Sequence, residues 1–322
     1  MSSRVLAARP GVSPAPAPRF SAEAHPRRAA WMRRLPLLPA LIFLIVVTQL
    51  PFVATLVISF MHWNALEPGD TGFTGFTNYQ EVFTDSSLRG SVIATVIITV
   101  SVVLVSLAIG LGIALLLNRK FHGRAFIRTI MIAPFLIVPV AAALLFKQGI
   151  YNPNYGLLNG TITGLTHLFG GHNPPQPDWI QTQPKIAVEA ALIWQWTPFM
   201  MLILLAGLQS RDPEVMEAAT VDGASPWQMF RFVTYPHVRR YLELGALFGA
   251  MFILQNFDFV FTITSGGLGT ANLPYTIYQT FFSAHDYGLA SAQGVVVVVA
   301  SLVIATFALR VVSSLLREEV SR

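Results

Sequence analysis

The sequence predicts an all-α integral membrane protein with six transmembrane helices and a cytoplasmic two-helix loop between spans four and five. Three observations carry that reading. Six apolar runs are each long enough to cross a hydrocarbon core, which takes about 20 helical residues. Only 11% of the 322 residues are charged and 53% are hydrophobic, with mean hydropathy +0.57, where a soluble domain carries about 25% charged residues. The basic residues also sort by loop, as the positive-inside rule requires.

Residues 1–34 are rich in Ala, Pro, Ser and Arg, cannot bury a core, and are expected to form a disordered basic cytoplasmic tail. Arg27, Arg28, Arg33 and Arg34 resemble the basic start of a signal peptide. The apolar run that follows, Leu35 to about Trp63, is far longer than an h-region of about 7–15 residues, and no small-x-small site closes it. An uncleaved first span is therefore expected. The others are Ser91–Leu117, Ala125–Phe146, Ile186–Leu208, Leu242–Thr264 and Gly288–Leu309, with a long Gly-, Pro- and Asn-containing segment, Gln148–Lys185, between the third and fourth. Backbone in hydrocarbon must satisfy its own hydrogen bonds, so runs of this length are read as helices. An even number of spans places both termini on one side, with residues 35–316 as the membrane domain and 317–322 as a C-terminal tail.

Lys and Arg set the orientation. Apart from Arg89, Lys147 and Lys185, they lie in or within a turn of the N-terminal tail, the Asn118–Arg124 loop, the 209–241 loop and the C-terminal end. That side is assigned to the cytoplasm. The net charge of +5 thus follows topology and forms no nucleic-acid-binding face, and with no cysteine there is neither a disulfide framework nor a thiolate metal site.

The 209–240 loop is the longest polar interval that still reads as structure. Asp212-Pro213-Glu214 has the form of a helix start, a carboxylate cap followed by proline at the first helical position. Gly223 supplies a left-handed residue to end that helix. Ser225-Pro226-Trp227-Gln228 restarts it, with Ser225 as cap and Gln228 placed for a capping box. The small side chains of Ala218, Ala219 and Ala224 keep one face of this elbow thin.

Glu217-Ala218-Ala219, Asp222-Gly223-Ala224 and Pro236 together resemble the Glu-Ala-Ala loop of bacterial binding-protein-dependent ABC importer permeases. Gly75-Phe76-Thr77-Asn78-Tyr79, Ala133-Pro134-Phe135 and Tyr155-Gly156-Leu157-Leu158-Asn159 are similar to segments of the carbohydrate-uptake branch, which includes maltose, glycerol-phosphate and polyol systems, and they fall in the right order. Arg240 stands where many relatives carry a second proline. The resemblance implies that Glu217, Ala218, Ala219, Asp222 and Gly223 couple the chain to a cytoplasmic ATPase, with Glu217 and Asp222 capping or orienting the helices and meeting basic residues across the interface. It also implies a second homologous permease, two ATPase subunits, an extracytoplasmic solute-binding protein and a bacterial cell-membrane location. Without the Ala-Ala and Asp-Gly context, the two carboxylates are better read as ordinary solvated helix residues.

No Gly-x-x-x-x-Gly-Lys-Ser/Thr loop is present, so no cofactor is expected on this chain, and Mg-ATP is expected on the partner subunits. For substrate, Trp194-Gln195-Trp196-Thr197-Pro198-Phe199 sets aromatic faces beside an amide and a helix-breaking proline, the groups that a sugar or polyol needs. Packing between helices is an equal alternative. Alignment with maltose-type relatives on Glu217 brings Gln195, Trp196, Phe199 and Phe252 onto pocket positions, with different residue types at most of them. Gln255, Asn256 and Asp258 join the candidates on polarity, since polar groups at that depth are costly; interhelical hydrogen bonding is their structural alternative. Gly245-x-x-x-Gly249 marks a close helix approach, either to a second permease or within the chain. Asn159-Gly160-Thr161 fits a glycosylation sequon but is discounted for a bacterial chain, and His285-Asp286 is read as surface loop.

The expected function is the permease of an ATP-driven importer for a neutral carbohydrate, a sugar or a sugar alcohol. The rival is an ion-coupled secondary transporter, which would need intramembrane acids or inverted repeats with interrupted helices. Asp258 and Glu189 are the plausible acids, and no repeat is visible. A membrane enzyme would need clustered acids or histidines near an interface.

Overall fold

A computed structural model describes residues 37–69 and 71–320. The expected N-terminal tail, 1–34, lies outside the described residues. The chain divides into two units, residues 1–53 and 54–322. Helix α1, Leu38–Ile58, supplies most of what is described of the first; its side chains are almost all exposed.

The second unit begins with a short antiparallel pair, β1 (Met61–His62) and β2 (Gly72–Phe73), in register Met61 to Phe73 and His62 to Gly72. The first span therefore stops before His62 and Trp63, short of the expected end. Helix α2, Thr77–Thr84, carries the Asn-Tyr motif, and its role is structural. Buried Asn78 donates both amide hydrogens, to the Ser59 and Met61 carbonyls at 2.9 Å each, and the Tyr79 hydroxyl lies 2.6 Å from Ser59 Oγ.

Helix α3, Ser86–Asn118, is 33 residues long, about 50 Å at 1.5 Å per residue. Asp85 caps it, accepting from Ser87 N at 2.6 Å. Helices α4 (Arg124–Leu136) and α5 (Pro139–Leu144, continued by a π-helical turn to Ile150) replace the single third span that was expected. The pair is bent by 96°. Pro139 has no N–H to give the ladder and pushes the preceding residue out of the α region, and Ile137 and Val138 are extended, with ψ of 136° and 132°.

After α6 (Leu157–Leu168) and the short α7 (Trp179–Thr182) comes α8, Pro184–Gln209, which runs without a break through Pro198. It packs against α3, α4 and α11 (Tyr235–Leu254). Its buried stripe, Val188, Leu192, Met200, Leu204 and Leu208, meets Val102, Val103 and Leu107 of α3. Lipid tails are as apolar as leucine, so close packing rather than water exclusion holds such helices together. Small residues permit it: a Cβ on Gly110 would sit 3.0 Å from Met201 N, and one on Gly249 would sit 2.3 Å from Met200 Cε. Gly245 and Gly249 thus serve packing within the chain.

The expected fifth span, Leu242–Thr264, is also interrupted. α11 ends at Leu254, and after Gln255-Asn256-Phe257 the chain resumes helically, ending in a π-helical turn, Val260–Thr264. A glycine-rich loop leads to α12 (Leu273–Tyr278), a further π turn (Gln279–Ser283), and α13, Tyr287–Val320. α13 passes both Leu309 and the expected tail boundary at 317 as continuous helix. Among the described residues, α1, α3 and α8 are long and apolar enough to cross a membrane, and the bent α4–α5 pair makes a fourth if it counts as one span.

Candidate functional site

Two regions hold the sequence-predicted residues. The first is the elbow between α8 and α11, made of α9 (Pro213–Val221) and α10 (Pro226–Gln228) with its π-helical extension, Met229–Thr234. Asp212 Oδ1 accepts from Glu214 N at 2.9 Å, opening α9. The helix closes in a Schellman arrangement: Ala224 N donates to Ala219 O at 3.0 Å and Gly223 N to Thr220 O at 3.1 Å. Gly223 has φ +77°, and no heavy atom lies within 4 Å of where its Cβ would be, so backbone conformation alone requires glycine. Both halves of the capping box form, Gln228 N to Ser225 Oγ at 3.3 Å and Ser225 N to Gln228 Oε1 at 2.8 Å.

Asp222 is the C-cap residue of α9, its backbone N–H donating to Ala218 O at 2.9 Å, while the side-chain caps come from Asp212 and Ser225. Glu217 and Asp222 are exposed, as are Ala218 and Gly223, while Ala219 is half-buried. Beside them Val221 is 86% and Trp227 67% exposed, an apolar surface this chain leaves open.

A set of residues that sequence reasoning missed anchors the elbow. Arg211 Nε donates to Leu208 O at 3.0 Å and Nη1 to Thr234 Oγ1 at 2.7 Å, joining the end of α8 to the start of α11. Burial draws this guanidinium's pKa below its ordinary value. The Ser210 hydroxyl lies 2.8 Å from the Tyr241 hydroxyl, and His237 Nε2 lies 3.1 Å from the Gly207 carbonyl. The one available sequence signal was an arginine directly after a span, which is common.

The second region is an aromatic cluster. Trp196 stacks on Phe252 at 5.5 Å and meets Phe199 edge-on at 5.8 Å. Phe135 of α4 stacks on Phe199 at 5.2 Å and touches Trp196 at 5.6 Å. Phe248 closes against Phe199 at 6.5 Å. Such pairs add about 0.5–1.5 kcal/mol each beyond area. The cluster is open on one side, with Phe252 56% exposed. Trp196 Nε1 is buried and, among the described residues, has no hydrogen-bond partner.

The remaining candidates do not join this cluster through hydrogen bonds. Gln195, 4% exposed, turns to the other helix pair and donates Nε2 to the Ile137 carbonyl at 3.0 Å, satisfying backbone freed by the break before Pro139. Exposed Gln255 donates back to Met251 O at 3.2 Å. Asn256 caps the resumed helix, Oδ1 accepting from Phe259 N at 3.3 Å, and its carbonyl accepts from Asn272 Nδ2. Asp258 sits in that helix's first turn, where a negative charge is favoured. Phe135 was visible only as part of a motif, and Phe248 carried no signal. Asn159 is buried, bonded to Pro153 O, Pro177 O and Trp179 Nε1, and so is no glycosylation acceptor.

Helices long and apolar enough to cross a membrane, joined by a capped two-helix elbow and meeting at an aromatic cluster, define an integral membrane protein. Residues 106–318 match the model of the binding-protein-dependent transport system inner membrane component family, and the chain belongs to that family. It is 33% identical over 271 residues to a probable ABC transporter permease protein, y4oQ, of Sinorhizobium fredii, covering 83% of this chain and 85% of that one. It is 31% identical over 268 residues to the trehalose/maltose transport system permease protein MalF of Thermococcus litoralis, covering 82% and 88%. Among solved structures, a bacterial ABC transporter involved in import of the acidic polysaccharide alginate shares the fold, with TM-score 0.73 over 89% of this chain and 96% of that one, at 22% identity.

Proposed function

We propose that this chain is the permease subunit of an ATP-driven, binding-protein-dependent importer for a neutral carbohydrate, a sugar or sugar alcohol. Six spans with both termini cytoplasmic line half of the translocation path, and a second, homologous permease completes it on the open side of the aromatic cluster. Two ATPase subunits receive the Glu217–Gly223 elbow, whose free carboxylates and exposed Val221 and Trp227 suit a protein partner. Closure of the ATPases pushes on a loop that Arg211, Ser210 and His237 fasten to α8 and α11, the helices carrying Trp196, Phe199 and Phe252. An extracytoplasmic binding protein delivers the substrate. Relatives named for trehalose and trehalose/maltose transport support the sugar class.

The observation that carries the substrate reading is Trp196, whose ring is stacked in an open aromatic cluster while its buried N–H has no partner among the described residues. A buried unmet donor is costly in hydrocarbon unless a ligand meets it. The rings cover the C–H faces of a sugar and the N–H meets a hydroxyl. Trp196→Phe keeps the ring faces and removes the donor. It is expected to raise KM for uptake about tenfold, the loss of one buried hydrogen bond, with unchanged membrane abundance. Uptake of labelled trehalose, maltose and sorbitol by the reconstituted complex tests it, and an unchanged KM for the transported sugar refutes the role of the indole nitrogen.

A further inference from the structure

A cavity lined by none of the aromatic-cluster residues lies between the end of the α5 π turn, the start of α7 and the loop after residue 264. Its volume is about 490 Å³, within the roughly 300–1,000 Å³ typical of small-molecule sites. Lys147, Gln148, Asp178, Gln181 and Ser265 line it.

The hydrogen-bonding capacity of these groups is only partly used. Lys147 Nζ donates to Thr262 O at 2.7 Å, leaving two N–H groups. Asp178 Oδ1 accepts both Ile180 N and Gln181 N, leaving Oδ2 without a bond among the described residues. The Gln148 carbonyl oxygen takes Tyr155 and Asn152, leaving its NH₂, and the Gln181 side chain makes no bond among the described residues. One ammonium and one carboxylate cancel in charge, and both donors and acceptors line the cavity. That is a match for a neutral ligand bearing many hydroxyls, each both donor and acceptor.

The backbone supplies a second, independent observation. Ser265 (φ +50°) and Leu268 (φ +57°) are two of three non-glycine residues with positive φ among the described residues, and both line this cavity. Strain of that kind concentrates where ligands are clamped. The cavity also rests on the elements that build the aromatic cluster. The α4–α5 pair gives Phe135 to one site and Lys147 to the other; α11 gives Phe252 to one, and Ser265, which ends the helical segment resumed after α11, belongs to the other.

We propose that this cavity is an outer carbohydrate subsite, occupied by the sugar after it leaves the binding protein and before it reaches Trp196. The inference rests on the importer reading and on the positive-inside orientation, which puts residues 148–185 and 265–286 outside. Lys147, one of the three basic residues on that side, then serves the ligand while holding the π turn before Ser265.

The test uses the complete complex in lipid nanodiscs with its binding protein, and labelled trehalose, maltose and sorbitol as probes. Asp178→Asn with Gln181→Ala keeps a competent helix cap and removes the free charge and amide. The pair is expected to raise uptake KM about tenfold with turnover at saturation unchanged, and equilibrium dialysis without ATP is expected to show one fewer bound sugar. Lys147→Met weakens binding likewise and Lys147→Arg restores it. Wild-type KM and stoichiometry in the paired variant overturn the subsite. So does a loss traced to weaker association of the binding protein, which makes this a protein-docking surface. If the wild-type complex takes up none of the probes, the carbohydrate reading itself fails, an outcome distinct from uptake that ignores these residues.

Discussion

Gly223 offers the sharpest test of the elbow. Its φ of +77° lies in the left-handed region, where an L residue costs about 1–2 kcal/mol. A Cβ there meets nothing within 4 Å, so side-chain bulk adds no clash and the cost is purely conformational. Any escape to a negative φ breaks the Ala224-to-Ala219 and Gly223-to-Thr220 bonds that close α9. About 1.4 kcal/mol is a tenfold change in population. Gly223→Val should therefore cut the correctly bent elbow by about tenfold or more, because β-branching is poorly tolerated at positive φ. Gly223→Asn should do far less, since asparagine enters that region readily. The assay is uptake and sugar-stimulated ATPase activity of the reconstituted complex, normalised to the amount of permease in the membrane. The expected order is Gly, Asn, Ala, Val for both activities, with membrane level constant. Wild-type uptake and stimulation in Gly223→Val would falsify the argument that this bend transmits the stroke.

Three further outcomes follow from the geometry. Gln195→Leu strands the Ile137 carbonyl at the α4–α5 break; averages for membrane hydrogen bonds near 0.6 kcal/mol and buried orphans of about 1–3 kcal/mol bracket the loss, read as a lower unfolding temperature in detergent, and unchanged stability refutes it. Gly207→Ala places a Cβ 2.5 Å from the Tyr241 ring, so overpacking should cost about 1–3 kcal/mol, and Tyr241→Ala in the same chain should recover part of it by emptying the clash. Burial pushes the Tyr151 hydroxyl, bonded to Ala187 O, up to about 12. The unfolded chain loses that proton from about pH 10, so stability should be level below pH 10 and fall between pH 10 and about 12, and Tyr151→Phe should flatten that part of the profile.

Local chemistry was legible in the sequence where one residue determines one conformation. Asp212, Gly223 and Ser225 act within a few residues of themselves, and their spacing already states the caps and the left-handed turn. Breaks inside apolar runs were less legible. Pro139 and Pro198 both sit in hydrophobic sequence, yet the chain bends by 96° before the first and runs straight through the second. The difference is tertiary: the Gln195 amide receives the carbonyl exposed by the first break, and Gln195 lies 58 residues from Ile137. Asn256 was likewise read from its polarity as a substrate group, and its oxygen proves to serve the backbone of Phe259. Polarity in a span says that a polar group has a partner, not which one.

The same distinction separates the two halves of the functional argument. The elbow is self-sufficient, capped at both helix starts and at its bend, and pinned to α8 and α11 through Arg211, so it can act as a rigid lever. The aromatic cluster is not self-sufficient: Phe252 is exposed, and among the described residues the Trp196 N–H has no partner. A lever that is finished and a pocket that is unfinished are what a permease half requires. On the importer reading proposed above, force from the ATPases passes through the former, and a second chain and the cargo, which has to leave again, complete the latter.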